Sequence, residues 1–491
     1  MPSRLDHAKS INRGANSPRT DGAAPAGSAP ASRLNVLPLV DSERNYERAR
    51  KVLPGGTTRV TVKRTPVPIY IERGEGAYLV DVDGNRYLDL VGNYTALIHG
   101  HAFAPVMDAL RAQLEGGTCF ANPTPWEIEL AELLTARVPA VDKVRFANSG
   151  TEAVLFAVKA ARAFTGRPKI AKLEGAYHGA YDWAEVSEAS TPDNWGGLDP
   201  ASTPFYSGMP KSVLAETIVL PINDTEASAA LIERHATGLA CILIDIMPSR
   251  AGLMALSPDY LEMLSELTRQ HGIVLISDEV LNFRHGYQGI SAHFSLQPDI
   301  ITFGKIIGGG LPIGAIGGSE DVMAVFDSSA GPPLVPHGGT FAANPLSMVA
   351  GLASMQHLTP DRFDQLNSLG ERARSGLEEI GRRRRLPISV CGGGSVFRFH
   401  LLPEPPTTYR TAWVPPEAAS LHRDISARLL LRGFMLPSDT SACCSTVMST
   451  EDMDRFLQNF EAVLGEIPDI ETRIRRSLKE RQISNDITRN P

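Results

Sequence analysis

An α/β fold with parallel strands is the architecture this 491-residue sequence predicts. Three observations carry it. Short apolar runs at 241–246, 273–276 and 300–303 have the length and composition of strands buried on both faces. Helical patterns separate such runs, as strands joined by crossover helices require. The helix ends are also marked. Ser257-Pro258 supplies an N-cap and a proline at the first helical position, and Gly272 closes the same helix after His271.

Upstream, residues 151–165 place Ala153, Phe156, Ala157, Ala160, Ala161 and Phe164 at helical spacing. Near Pro345 the pattern changes to mixed helix and strand, which continues to about residue 470. Residues 1–38 are rich in Ala, Ser, Pro, Gly and Arg, hold no aromatic residue, and predict a disordered tail. Their Arg and Ser content fits a targeting segment weakly, and Asp6 and Asp21 argue against it. The expected organisation is therefore a tail (1–38), an N-terminal segment packing with a smaller domain (39–95), a large domain (96–345), the smaller domain (346–471) and a flexible tail (472–491).

The net charge of −7 and pI of about 6.0 argue against a general nucleic-acid binder. The basic run Arg382 to Arg385 reads as a solvated helix end. Five cysteines, at 119, 241, 391, 443 and 444, show no C-x2-C spacing. A reduced, cytoplasmic protein without a structural metal is the simplest expectation. No apolar run reaches the ~18–20 residues of a membrane span.

Four elements carry chemistry. Asn148-Ser149-Gly150-Thr151-Glu152 opens the first helix. Free N–H groups there suit a phosphate, although Ser and Thr at such positions also serve as plain caps. Asp278-Glu279-Val280 follows the strand at 273–276, at the sheet edge where ligands collect. Asp278 could hold a cationic nitrogen or cap the next element. Gly304-Lys305 follows the strand at 300–303, with Gly308, Gly309 and Gly310 just beyond. Partial burial would leave Lys305 with more neutral amine for Schiff-base chemistry. A lysine snorkelling beside a loop has the same sequence. His337-Gly338-Gly339-Thr340-Phe341 supplies a further phosphate loop or an ordinary turn.

In this order, the segments NSGTEA (148–153), GAYHG (175–179), SDEV (277–280), FGKIIGGGLPIGAIGG (303–318) and GGTFAANP (338–345) resemble the class III aminotransferases of fold type I. These depend on pyridoxal 5'-phosphate (PLP), and the group contains glutamate-1-semialdehyde aminomutase. Matching stretches run from about Pro54 to Leu464. The resemblance implies a large PLP-binding domain with a mostly parallel seven-stranded sheet, plus a smaller α+β domain. It implies that Lys305 forms the Schiff base and moves the proton. Asp278 would pair with the pyridinium nitrogen. Val280 would pack on one ring face and Tyr177, beside His178, would stack on the other. Ser149, Gly150 and Thr151 would bind the phosphate. Thr340 would reach the phosphate of a neighbouring subunit, which implies a homodimer with shared sites. The partners would be a small amino donor and a keto-acid acceptor.

The spacing Gly55-Gly56-Thr57-Thr58-Arg59 resembles β-amino-acid aminotransferases more than the aminomutase, as does Val91 to Ala96. Arg59 would then take a substrate carboxylate and Tyr94 would line the pocket; a surface ion pair is the plain alternative for Arg59. Two departures stand out. Asp245-Ile246 replaces the usual Glu-Pro, and the loop from Gly433 to Cys444 lacks the arginine often found there. Arg398, in the strand-like stretch Val396 to His400, is the substitute cation the sequence offers. Two further readings remain: an aminomutase, and a catalytically silent scaffold, against which Lys305, Asp278 and Tyr177 all speak.

Overall fold

Seven strands form the central sheet: β4 (Lys143–Ala147), β5 (Lys169–Leu173), β6 (Thr217–Leu220), β7 (Leu239–Ile244), β8 (Val274–Asp278), β9 (Ile300–Gly304) and β10 (Gly314–Gly318). Their spatial order is β4-β10-β9-β8-β7-β5-β6. All neighbours are parallel except β10, which runs antiparallel to both β9 and β4. The computed structural model describes residues 38–489, with side chains to residue 482. The predicted N-terminal tail lies, but for Pro38, outside the described residues, as do residues 490 and 491.

Both faces of the sheet are covered, which explains the continuous apolar runs. Along β7 and β8, Cys241, Leu243, Val274 and Ile276 point to the helix Gly150–Thr165, whose Ala153, Ala157, Ala160 and Ala161 are fully buried. Ile242, Ile244 and Leu275 face the opposite layer, with Tyr260, Leu261 and Leu264 of the helix Pro258–His271. Each buried Leu or Ile contributes about 1.5–3 kcal/mol, so the two-sided burial, rather than strand propensity, fixes the register. The small alanine face lets the first helix lie close to the sheet, and this places its N-terminus at the strand ends.

The same parallel run sets the chemistry. Because β7, β8 and β9 are adjacent and parallel, the residues that end or follow them share one edge. Asp245 follows β7, Asp278 ends β8, and Lys305 follows β9. The apolar run predicts a strand ending at Ile276, whereas the strand continues through Ser277 and Asp278, paired with Ile301 and Thr302.

Two smaller sheets complete the chain. The strands β1 (Ile71–Glu75), β2 (Tyr78–Asp81) and β3 (Arg86–Asp89) are joined by β13 (Phe434–Met435), which runs parallel to β3. The third sheet orders β11 (Ser389–Gly393), β12 (Val396–His400) and β14 (Ser441–Cys443). The expected flexible tail after residue 471 is corrected: a helix spans Ile470–Arg489. Ile470, Ile474 and Leu478 recur at i, i+4, i+8 and pack on the core, while Arg473 donates to Glu417 and Asp424. The charged surface hid that stripe. No helix among the described residues is long and apolar enough to cross a membrane.

Candidate active site

Asp278 is the best-defined group at the sheet edge. It is buried. Its Oδ1 accepts from the Thr302 hydroxyl at 2.9 Å and the Val280 amide at 3.1 Å; its Oδ2 lies 2.8 Å from His178 Nδ1. Burial pushes His178 below its ordinary range, so the ring is neutral and Nδ1–H donates to the carboxylate. A carboxylate has about four acceptor positions. Three are filled, and one on Oδ2 is left for a further donor. The strand pairing with Thr302 therefore aims Asp278 and spares one lone pair.

Lys305 sits at φ +50, a left-handed conformation that is costly for a lysine. It follows the last residue of β9, Gly304, and the turn closes through Gly309, also left-handed. Burial lowers the Lys305 ammonium to about 8, against the pull of the Asp278 and Asp245 carboxylates. Neutral amine is the nucleophile, so capture of PLP by the apoprotein should quicken as pH rises through about 8 and then level off. Stopped-flow absorbance checks this; a rate still climbing toward the ordinary lysine value near ~10.4 would contradict it. Behind Lys305, Asp245 accepts from the Met247 amide at 2.9 Å and from the side-chain amide of Asn282. Burial, with the nearby Asp278 charge, raises Asp245 to about 8.

The helix start lies across from this edge. Ser149 is the N-cap, accepting from the Glu152 amide at 3.2 Å. Its hydroxyl hydrogen is still free to donate, so capping and anion binding are compatible. Thr151 Oγ1 accepts from the Ala180 amide at 3.1 Å, which docks the Tyr177-His178-Gly179 turn on the helix. Gly179 has φ +88, and a Cβ there would meet Thr151 Oγ1 at 2.5 Å. A Cβ on Gly150 would lie 2.8 Å from Val280 Cγ1, and one on Gly304 3.1 Å from it. These bare backbones let the helix start, Val280 and Lys305 converge. Gly339 approaches Asn148 from the 337–341 loop, while Thr340 itself is exposed.

On the N-terminal side, Arg59 Nη1 donates to Asn93 Oδ1 at 3.0 Å, and its guanidinium lies 5.6 Å from the Tyr94 ring centre. Asn93, Tyr94 and Thr95 are consecutive left-handed residues at φ 48, 56 and 74. Such strain persists only when surroundings over-determine it. Here Asp89 Oδ1 accepts from the Val91 and Gly92 amides. The fully buried Arg284 donates to Thr95 O at 3.1 Å, Cys444 O at 2.5 Å and Ser395 Oγ at 3.0 Å. Arg284 thus ties the strained turn to the residue before β12 and the residue after β14, and no sequence pattern singles it out. Arg398 is the substitute cation the sequence offers. It is buried and donates to Ser249 O at 2.9 Å, because β12 turns it into the core. Tyr177 is exposed and carries Arg250 over its ring.

The residues present fit a phosphorylated pyridine. One spare carboxylate lone pair sits at the edge that also carries a lysine of lowered basicity; a helix start free of side-chain bulk at Gly150 lies within reach of Val280. Fold and edge together define a PLP-dependent enzyme of fold type I. The profile of the family Aminotransferase class-III matches residues 60–464, and the chain belongs to that family. It is a PLP-dependent aminotransferase, a class that works on an amino donor and a keto-acid acceptor. Glutamate-1-semialdehyde 2,1-aminomutase 1 of Listeria welshimeri is 35% identical over 432 residues, 87% of this chain and 98% of that protein. An omega-transaminase from Sphaerobacter thermophilus is 48% identical with a TM-score of 0.84, covering 87% of this chain and 97% of that structure. A beta-phenylalanine aminotransferase from Variovorax paradoxus is 32% identical with a TM-score of 0.78, covering 87% and 94%.

Proposed function

We propose that this aminotransferase takes its amino group from a β-amino acid and passes it to a keto acid. The observation that carries the reading is the Arg59–Asn93–Tyr94 cluster. Arg59 has an open guanidinium, and the strained turn that presents Asn93 and Tyr94 is anchored to the PLP-side elements through Arg284. A planar fork held beside an aromatic ring suits a carboxylate next to an apolar substituent. The Variovorax relative, a beta-phenylalanine aminotransferase, supports the same substrate class.

In this reading Lys305 holds PLP and shuttles the proton at the substrate carbon, while Asp278 keeps the ring nitrogen protonated. When bound, PLP supplies an electron sink. Val280 and Tyr177 cover the two ring faces, and Ser149, Gly150 and Thr151 receive the phosphate. Thr340, exposed in one chain, reaches the partner's phosphate in a cytoplasmic homodimer. Residues 39–95 and 346–471 form the smaller domain, joined through β3 and β13.

The names of curated relatives favour a second reading, the aminomutase. Absorption spectroscopy separates the two. Adding β-phenylalanine to the holoenzyme should convert the PLP band to the pyridoxamine form, and a keto acid should restore it. Turnover of glutamate 1-semialdehyde without added keto acid, and no change with any β-amino acid, would replace this proposal by the aminomutase.

A further inference from the structure

The late loop lacks an arginine, and Arg398 is buried with its Nη1 on Ser249 O, whereas Arg250 is an exposed cation at the same edge. Arg250 lies in the segment that follows β7, at the same edge as Asp278 and Lys305. That segment is firmly held. Asp245 accepts from the Met247 amide, Arg398 grips Ser249 O, and His400 Nε2 lies 2.9 Å from Gly252 O. From this rigid turn the Arg250 guanidinium reaches over Tyr177, 4.9 Å from the ring centre.

Its partners are the unusual part. Arg250 Nη1 is 3.1 Å from Glu188 Oε1, and the arginine side chain is 44% exposed while the glutamate is 1% exposed. Yet neither Glu188 oxygen accepts a hydrogen bond, because the approach is out of line. Nor do the five N–H groups of Arg250 make a hydrogen bond to any described residue. Of the other guanidiniums near the edge, Arg284 is bound to Thr95 and Cys444, Arg398 to Ser249 and Arg64 to Leu436 O, while Arg59 is proposed to take the donor's carboxylate. Glu188 offers charge but not geometry. Lys172, buried beside it, is already bound to the carbonyls of Ala176 and Val186.

We infer that Arg250 is a specificity-determining residue, which binds the distal carboxylate of a dicarboxylic keto acid, with Glu188 as its resting counter-ion. An incoming carboxylate can make the two in-line N–H contacts that Glu188 cannot, and such charge-assisted pairs are the stronger kind. The inference rests on Tyr177 facing the cofactor, but not on the identity of the donor.

The test is the holoenzyme of wild type, Arg250→Gln and Arg250→Lys. KM is measured for 2-oxoglutarate and for pyruvate with one amine donor, and calorimetry measures binding of glutarate, which cannot react. In Arg250→Gln the KM for 2-oxoglutarate should rise about 10- to 100-fold, the size of a charged hydrogen-bonded contact, with glutarate affinity falling in parallel. The pyruvate KM should change less than about 2-fold. Arg250→Lys should fall between, since it keeps charge and loses the fork. Equal losses for both keto acids, or glutarate binding that is the same in wild type and Arg250→Gln, would overturn the assignment. Because glutarate binding needs no donor, that result stands even if β-amino acids prove not to be substrates.

Discussion

Lys305→Ala should abolish covalent retention of PLP and lower turnover by on the order of 10^4-fold, the upper end of what a positioned proton-transfer group supplies. On the proposed assignment two roles are lost together: the amine that attaches the cofactor and the base that moves the proton. Borohydride treatment of wild type, followed by peptide mass analysis, should find the cofactor on the peptide containing Lys305 and nowhere else. The variant should show no such adduct. It should also fold. Burial of its ammonium, pushed to about 8, carries a cost, so removing that charge should leave the melting temperature of the apoprotein equal or higher, while alanine keeps the left-handed φ of +50. Retained adduct formation on another lysine would show that the sheet edge has been misassigned.

How far the sequence leads depends on whether a residue's role is local. The helix Pro258–His271 was legible to the residue, because Ser257, Pro258 and Gly272 are capping chemistry that acts within one turn. The ordering of Asp278 and Lys305 at strand ends was legible for the same reason: apolar runs stop where charges begin. Strand β8 ran two residues further than its apolar pattern because Ser277 and Asp278 are satisfied by a neighbour, Thr302 by the carboxylate, Ser291 by the Ser277 hydroxyl. Those partners are distant in sequence. The same holds for Arg284, Asn282 and Arg250, whose meaning lies in what they touch across 37 to 189 positions. Arg398 shows a direction that the sequence leaves open. Strand alternation gives two directions and no means of choosing, and the sheet turns it inward. The left-handed run at Asn93, Tyr94 and Thr95 had no signature, since only Asn among them favours that conformation.

Asp278→Asn should cost on the order of 10^2- to 10^3-fold in kcat/KM, the scale of losing one preorganised electrostatic partner. The direction follows from the donors around it. The amide nitrogen cannot replace Oδ1, where the Val280 N–H is fixed and cannot turn away. It must therefore occupy the Oδ2 position, facing His178 and, on the proposed assignment, the cofactor nitrogen. His178 would then have to offer an unprotonated Nδ1 and carry its proton on Nε2, which has no partner among the described residues. At the cofactor the asparagine would donate where the aspartate accepts, so the ring nitrogen would be held unprotonated and the electron sink weakened. A structural role for Asp278 alone would lower stability and leave the spectrum of bound cofactor unchanged. The electrostatic role predicts a shifted spectrum, slower proton removal seen as a larger kinetic isotope effect at the donor carbon, and partial recovery when PLP is replaced by an analogue whose ring nitrogen is permanently cationic. Absence of that recovery, with normal analogue binding, would mean that Asp278 acts through His178 and the packing of Tyr177 rather than through the ring.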